Sequence, residues 1–433
     1  MKYFKSVLSL MLAVLLSIGL FGQLAFSKDP VTITFWVNHG IEDEPLFKKV
    51  IANFEKANPD IKVDFLNVAA GTDYYQKLTV MFAAGTLPDV FYMRGGSGDM
   101  IYYKQGYAAD ITNLVKRDSK EINLDDFLKS QQVELQYPRG RWRALPYDYS
   151  TYGIYYNKSL FDQAGISYPK NTWTWDDVLQ ASIKLTKRDD RGRTIQWGIN
   201  NLGIISQWLE GMVMTEGGRI FDANYTKCVL DSPQNVKIFQ KWADFYLKYH
   251  VAPQPGEVSG QENPYFTGRA GMTVDGSWAT LTHRRLCGFP FDVVMMPQSK
   301  TGKRIASATG GSWAISHNTK NLEAAWKFVK YLTSPEASRI LIVDPIRSLP
   351  SRKSLIPEWS AKIKEEGLDP QSAQIFGDQV TKYGKNTPTV SINYMFVINN
   401  ELPLMFTGKR SVEDCLKSMT NAINKMFEEE RKK

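Results

Sequence analysis

The sequence predicts an α/β protein of two or three domains, in the pattern a chain crossing between two lobes would show. Three observations lead there. The chain has 433 residues, more than one ordinary hydrophobic core organises. Strand-like and helix-like stretches alternate along it, the pattern of a mostly parallel sheet covered by helices. No fixed-period repeat or low-complexity tether divides it, so a chain with strands enough for two sheets is expected to cross between the lobes more than once. The composition, 43% hydrophobic and 23% charged, is that of a globular protein. With 11 Trp, 21 Tyr and 22 Phe, aromatic rings are plentiful enough for some to serve outside the cores.

The elements follow in order. Lys2 and Lys5, the apolar run "VLSLMLAVLLSIGLF" (7–21) and the small residues of Ala25-Phe26-Ser27 read as a secretory signal over 1–27. The run is short for a membrane span, and no second one follows. No cysteine stands at the cut to carry a lipid, so a soluble periplasmic protein is expected. "VTITFWV" (31–37) reads as a buried strand. "IEDEPLFKKVIANFEKANPD" reads as a helix, with acidic residues and Pro45 at its start and Leu46, Val50 and Phe54 on one face. "IKVDFLNV" (61–68), "DYYQKLTVMFAAG" and "PDVFYM" (88–93) continue as strand, helix and strand. After "ALPYD" (144–148) the style resumes with "GIYYNKSLF" (153–161), a helix opened by a Thr174–Asp177 capping box, and the short strand "IQWGI" (195–199). The amphipathic helix "PQNVKIFQKWADFYLKYH" (233–250) precedes the strands "GMTVD" and "FDVVMMP". "SWAIS" leads into the helix "NLEAAWKFVKYL" (321–332), and Ser411 and Asp414 cap a helical C-terminus.

Several chemistries are disfavoured. None of the Gly-Lys pairs at 302, 384 and 408 has the earlier glycine of a phosphate loop. "RGGSG" (94–98) completes neither a dinucleotide fingerprint nor a serine elbow. Histidines 39, 250, 283 and 317 lack metal-ligand spacing, so no metal or cofactor is expected. The formal charge of +8, or +6 once Lys2 and Lys5 leave with the signal, is scattered and gives no nucleic-acid footprint. A Cys228–Cys287 bridge suits an oxidising compartment, but with three cysteines one thiol stays unpaired, and all read mainly as packing residues.

What remains is a set of polar and aromatic residues just after strand ends, where open α/β sheets hold ligands. Asn38 and His39 follow the first strand, Arg94 and Gly95 the third, Tyr147 and Asp148 a crossing, and Trp278 the segment "MTVDGS".

These segments, taken in order, resemble the extracellular solute-binding proteins of bacterial ABC importers, in the group with a maltose-binding-protein-like fold. The resemblance is carried by "ITFWVNHG" with "FEKANPDIKV", by "YYQKLTVMFAAGTLPDVF", and by "LPYDYSTYGIYYNKSLFDQAGISYPKNTWTWDDVLQASIKLTK". It continues through "YFTGRAGMTVDGSW", "GGSWAISHNTKNLEAAWKFVKYLTSPE" and "RSLPSRKS". It implies a two-lobe periplasmic-binding-protein fold of type II, with ligand held in a cleft between lobes that close over it and a membrane permease as partner. Crossings are expected near 148–152, 299–306 and 340–347. The first lobe is then 28–148 plus 304–341, and the second 152–300 plus 346–433. The protein is expected to act as a monomer.

The resemblance also assigns candidate ligand contacts: Asn38, His39, Arg94, the backbone of Gly95 and Gly96, Tyr147, Asp148, Asp275, Trp278, Gly311, Trp313 and Arg347. Trp208 faces either the cleft or the helix–sheet core. Such residues suit a sugar. A flat aromatic ring covers the C–H face of a pyranose with little entropy to lose, while Asp, Asn, His and Arg bond its hydroxyls. A periplasmic sugar receptor without catalytic activity is the leading expectation. Arg94 and Arg347 favour, as an alternative, a phosphorylated or acidic ligand such as glycerol phosphate or a sugar acid. A glycoside-cleaving enzyme would need Asp148 and Asp275 as its carboxylate pair. Trp278 and Trp313, both within Gly-Ser-Trp-Ala, are expected to form one aromatic wall in each lobe.

Overall fold

A computed structural model of the protein describes residues 29–68, 74–94, 100–200, 206–258, 263–365, 370–385 and 394–432. The expected signal at 1–27 and the glycines 95 and 96 lie outside these residues.

The first sheet grows from alternating β-branched and aromatic residues. Strand β1 (Val31–Val37) turns Ile33, Phe35 and Val37 fully inward. Helix α1 (Glu44–Ala57), opened by a proline in its first turn, lays Phe47, Val50, Ile51 and Phe54 on that face, while Leu46 is only half-buried. β2 (Ile61–Asn67) pairs in parallel with β1. Helix α2 (Tyr74–Ala84) is closed by Gly85 at φ 68°, and β3 (Val90–Met93) pairs with the other edge of β1, also in parallel. Helix α3 (Met100–Gln105) follows. The short β4 (Ala144–Pro146) belongs to the same sheet.

The chain then enters a second sheet. β5 (Asp148–Asn157) is buried at all ten positions and is its centre. Helix α4 (Trp175–Leu185) begins at the capping box: Thr174 accepts from the Asp177 N–H, and the Asp177 carboxylate accepts from the Thr174 N–H. β6 (Lys187–Arg188), β7 (Thr194–Asn200), helix α5 (Ser206–Thr215), helix α6 (Pro233–Leu247), β8 (Ala270–Gly276) and β9 (Phe291–Met295) follow. β8 and β9 both pair antiparallel with β5, as does β10 (Ala306–Thr309). β11 (Ser312–Ile315) returns to the first sheet between β3 and β4, and helix α7 (Leu322–Leu332) packs over it. β12 (Leu349–Pro350) pairs with the start of β5, and β13 (Gly384–Lys385) with β10. The 20-residue helix α8 (Val412–Arg431), capped by Ser411, packs against α6 and closes the second lobe.

The sheets are therefore β2-β1-β3-β11-β4 and β13-β10-β5-β8-β7-β6, with β9 and β12 also on β5. The first sheet has one core, Ile33 to Tyr147 with Trp313 to Ile342, and the second has two, one of which also takes in Leu128 from before the first crossing. Three crossings join the sheets: one at Tyr147 between β4 and β5, one at Gly310–Gly311 between β10 and β11, and one where Ile342 packs in the first core and Val343 in a core of the second sheet. The second crossing lies beyond the expected 299–306. Ala308 and Thr309 still pair with β5, and Ser307 Oγ accepts the Gly211 N–H of α5, so the chain changes sheet only at the two glycines. Cys228, Cys287 and Cys415 are free thiols. Among the described residues no helix is long and apolar enough to cross a membrane.

Candidate ligand-binding cleft

The three crossings meet at a cleft of about 370 Å³ lined by Asn38, His39, Gly40, Tyr92, Arg94, Asp148, Ser150, Trp278, Thr309, Gly310, Gly311 and Arg347. The strand-end logic explains its content, because β1, β3 and β8 all deliver their following residues here.

Asp148 begins β5 on the floor. It is 8% exposed, and its Oδ1 accepts the Gly311 N–H at 2.7 Å. Burial pushes its carboxyl above the usual carboxylate range, against the opposing effects of the Gly311 N–H and Arg347. The Tyr147 N–H returns a bond to the Gly311 carbonyl at 2.9 Å, and Gln131 Nε2 donates to the carbonyls of Asp148 (2.7 Å) and Gly311 (3.1 Å). Two crossings are thus bonded side by side. Only glycine permits this approach. A Cβ on Gly310 would lie 2.2 Å from the Asp148 carbonyl oxygen, and one on Gly311 2.6 Å from the Tyr92 ring.

The loop after β1 forms one wall. Asn38 Nδ2 donates to the Val68 carbonyl at 3.0 Å, and the His39 N–H donates to Asn67 Oδ1 at 3.1 Å. Arg347, on the third crossing, reaches into this loop: Nη1 bonds the Asp43 carboxylate, and Nη2 lies 2.6 Å from His39 Nδ1. Burial holds His39 well below the ordinary imidazole pKa, with Arg347 and Arg94 adding to the effect. Burial opposes the charge of Arg347 too, yet the neighbouring Tyr147, Asp43 and Asp148 raise its pKa above the usual value. The Arg94 N–H donates to the Tyr75 hydroxyl at 2.8 Å, fixing the end of β3.

Trp278 forms the opposite wall. It sits in a short 3₁₀ turn after β8, 38% exposed, edge-on to Tyr152 at 5.1 Å.

The remaining candidates lie elsewhere. Trp313 is fully buried in the first core, with ring centres 4.4 Å from Tyr147 and 5.4 Å from Phe35. It is therefore no wall of the cleft, and Tyr147 is likewise packed into that core. Trp208 is buried in a core of the second sheet, stacked with Trp175 beside a void of about 10 Å³. Asp275 does not line the cleft; its Oδ2 lies 3.1 Å from His283 Nε2, and its Oδ1 accepts the Gly276 N–H. Asp148 and Asp275 thus lack the shared cavity a hydrolytic pair would need. Tyr92, Ser150, Thr309, Gln131 and Asp43 were not anticipated; only Tyr92 carried a signal, as an aromatic within a strand that ends at the cleft.

The model of the family described as bacterial extracellular solute-binding protein matches residues 40–339, well over half of the chain. The chain belongs to this family. A maltotriose-binding protein from Pyrococcus abyssi is 25% identical to this solute-binding protein over 319 residues, covering 72% of the chain and just under two thirds, 65%, of that relative. An ABC substrate-binding protein from Listeria monocytogenes, solved in complex with cycloalternan, is 25% identical, with a TM-score of 0.81 over 92% of this chain and 99% of its own. UgpB from Mycobacterium tuberculosis, solved in complex with glycerophosphocholine, shares the fold at 18% identity, with a TM-score of 0.79 over 94% of this chain and 100% of its own. The solute-binding protein has the two-lobe, maltose-binding-protein-like architecture of these relatives.

Proposed function

We propose that this solute-binding protein is the periplasmic receptor of an ABC importer, capturing a carbohydrate between closing lobes and delivering it to the membrane permease as a monomer. Residues 29–147 with 311–342 act as one lobe, and 148–309 with 343–432 as the other. The observation that carries the reading is the make-up of the cleft. A half-exposed Trp278 from one lobe faces Asn38, His39 and Arg94 from the other, with Asp148 and Gly311 between them. An aromatic face with a few placed polar groups suits a pyranose. Ligand bridging both walls is held fully only in the closed form, so binding shifts the hinge equilibrium towards it.

A phosphorylated or acidic ligand is the second reading, favoured by two arginines in the lining. It is weakened because Arg347 already faces the Asp43 carboxylate, and Asp148 opposes an incoming anion. Among the described residues lining the cleft, Asp148 is the one carboxylate, and Asp275, the other member of the pair hydrolysis would use, lies outside it. Intrinsic tryptophan fluorescence, titrated with mono- and oligosaccharides, sugar acids and glycerol phosphates, tests the reading. A saccharide response is expected; a response to phosphate esters alone would overturn it.

A further inference from the structure

The pairing of Arg347 with His39 fixes more than position. A guanidinium has N–H groups only and accepts no hydrogen bond. At 2.6 Å from Arg347 Nη2, His39 Nδ1 must therefore be the acceptor and carry no proton. The ring proton is left on Nε2, which is buried and has no hydrogen-bond partner among the described residues. Protonating the ring would set an Nδ1–H against a guanidinium N–H, and one cation against another.

The described surroundings offer no compensation for such a cation. Arg347 and Arg94 are positive, and the Asp43 carboxylate is engaged by Arg347 rather than by the imidazole. Neutral rings enclose the rest: His39 stacks on Phe47 at 5.1 Å, with Tyr92 at 4.8 Å and Tyr147 at 5.5 Å. Asp148 lines the same cleft but bonds Gly311. Asp43, sitting in the turn that follows His39, anchors the other end of Arg347 and keeps the guanidinium pointed at Nδ1.

We propose that Arg347 is a positioning residue: it locks His39 as the neutral Nε2–H tautomer, so that the loop after β1 never adds a cation to the wall of the cleft. A neutral His39 gives an anionic ligand no added charge to pair with, which suits an uncharged ligand, and the ring stays neutral between about pH 5 and 8. This rests on the solute-binding reading for its purpose but not for its test.

The test is long-range proton–nitrogen NMR on ligand-free protein carrying ¹⁵N-histidine. The four histidines at 39, 250, 283 and 317 make assignment by H39Q straightforward. The expected spectrum has a bare Nδ1 and a protonated Nε2 on His39, unchanged between about pH 5 and 8, the range in which an ordinary imidazole titrates. In R347M both nitrogens should move towards averaged tautomer values, while burial, the larger cause of the lowered pKa, still disfavours the charged ring; R347K, which keeps a donor, should restore much of the wild-type signature. A proton on Nδ1, or a wild-type His39 that titrates in this range, overturns the proposal. So does an R347M spectrum identical to wild type. If R347M disturbs the other three histidines and so reports misfolding, the wild-type and R347K spectra still decide. No ligand enters these measurements, so a failed saccharide titration and a failed tautomer assignment are separate outcomes.

Discussion

The Gly311 N–H donates to Asp148 Oδ1 at 2.7 Å, joining two lobe crossings across 163 residues of sequence. The pair of glycines makes this contact possible, and adding one methyl group tests it. In Gly310→Ala the new Cβ would meet the Asp148 carbonyl oxygen at 2.2 Å, and in Gly311→Ala it would meet Asp148 Oδ1 at 2.7 Å. Both variants are expected to lose about 1–3 kcal/mol of stability, the usual cost of overpacking. Urea unfolding gives the measurement; an unchanged midpoint in both would mean that the crossings are free to part.

Asp148 itself predicts a pH dependence. Its folded pKa is raised, chiefly by burial, so between the ordinary carboxylate value and the folded one the native state binds the proton more tightly than the unfolded state. The sign follows: this contribution to stability is complete below the ordinary value, about 3.9, and is lost as pH rises through the folded pKa. Asp148→Asn removes the titration while Asn Oδ1 still accepts from Gly311. Relative to the variant, wild-type stability should decline from about pH 4 upwards and then level off. Denaturation midpoints at a series of pH values would show it, and a wild-type advantage that grows with pH would refute it.

The two Gly-Ser-Trp-Ala words should respond in opposite ways. Trp313→Ala removes a fully buried ring from the first core and is expected to cost about 3–5 kcal/mol. Trp278→Ala removes a ring that is 38% exposed and lines the cleft, and should weaken saccharide binding about tenfold while leaving the unfolding midpoint within a degree or two. Calorimetric titration beside thermal unfolding separates them; equal loss of stability in both would return Trp278 to the core.

That contrast also shows what the sequence could reveal. Local signals translated directly: the Thr174–Asp177 capping box, the Gly85 helix stop and the strand ends that place Asn38, His39, Arg94, Asp148 and Trp278 around one cleft. Direction within a buried element did not. All four residues of β11 are buried, so period-two alternation gives no side to Trp313. In α5, where residues 208–214 are all buried, no polar face tells which way Trp208 turns. Arg347 was legible as a charge in a crossing, but its partners His39 and Asp43 are more than 300 residues away, at separations of 308 and 304, and no local pattern encodes such a contact.

Among the described residues, several ion pairs join the lobes away from the crossings, Arg339–Glu358 and Arg352–Asp126 among them, and one of them lies between helices α3 and α8. Lys104, on α3, pairs with Glu430, near the end of α8. Each is anchored: Tyr103 beside Lys104 is buried in the first core and bonded to Ser312 Oγ at 2.9 Å, and Phe427 one turn before Glu430 is buried in a core of the second sheet. Helix α3 also reaches the cleft wall, since Tyr102 stacks on Tyr75, whose hydroxyl accepts the Arg94 N–H. Separating the lobes must therefore stretch or break the pair. At 36% and 20% side-chain exposure it is partly screened, which limits its worth to about 0.2–1 kcal/mol, a shift of at most about fivefold in the ratio of closed to open forms. Glu430→Gln should enlarge the mean radius of gyration of the ligand-free protein in small-angle X-ray scattering, and about 0.5 M salt should do the same to wild type but not to the variant. Identical scattering from both proteins at low salt would show that the pair has no weight in the hinge equilibrium.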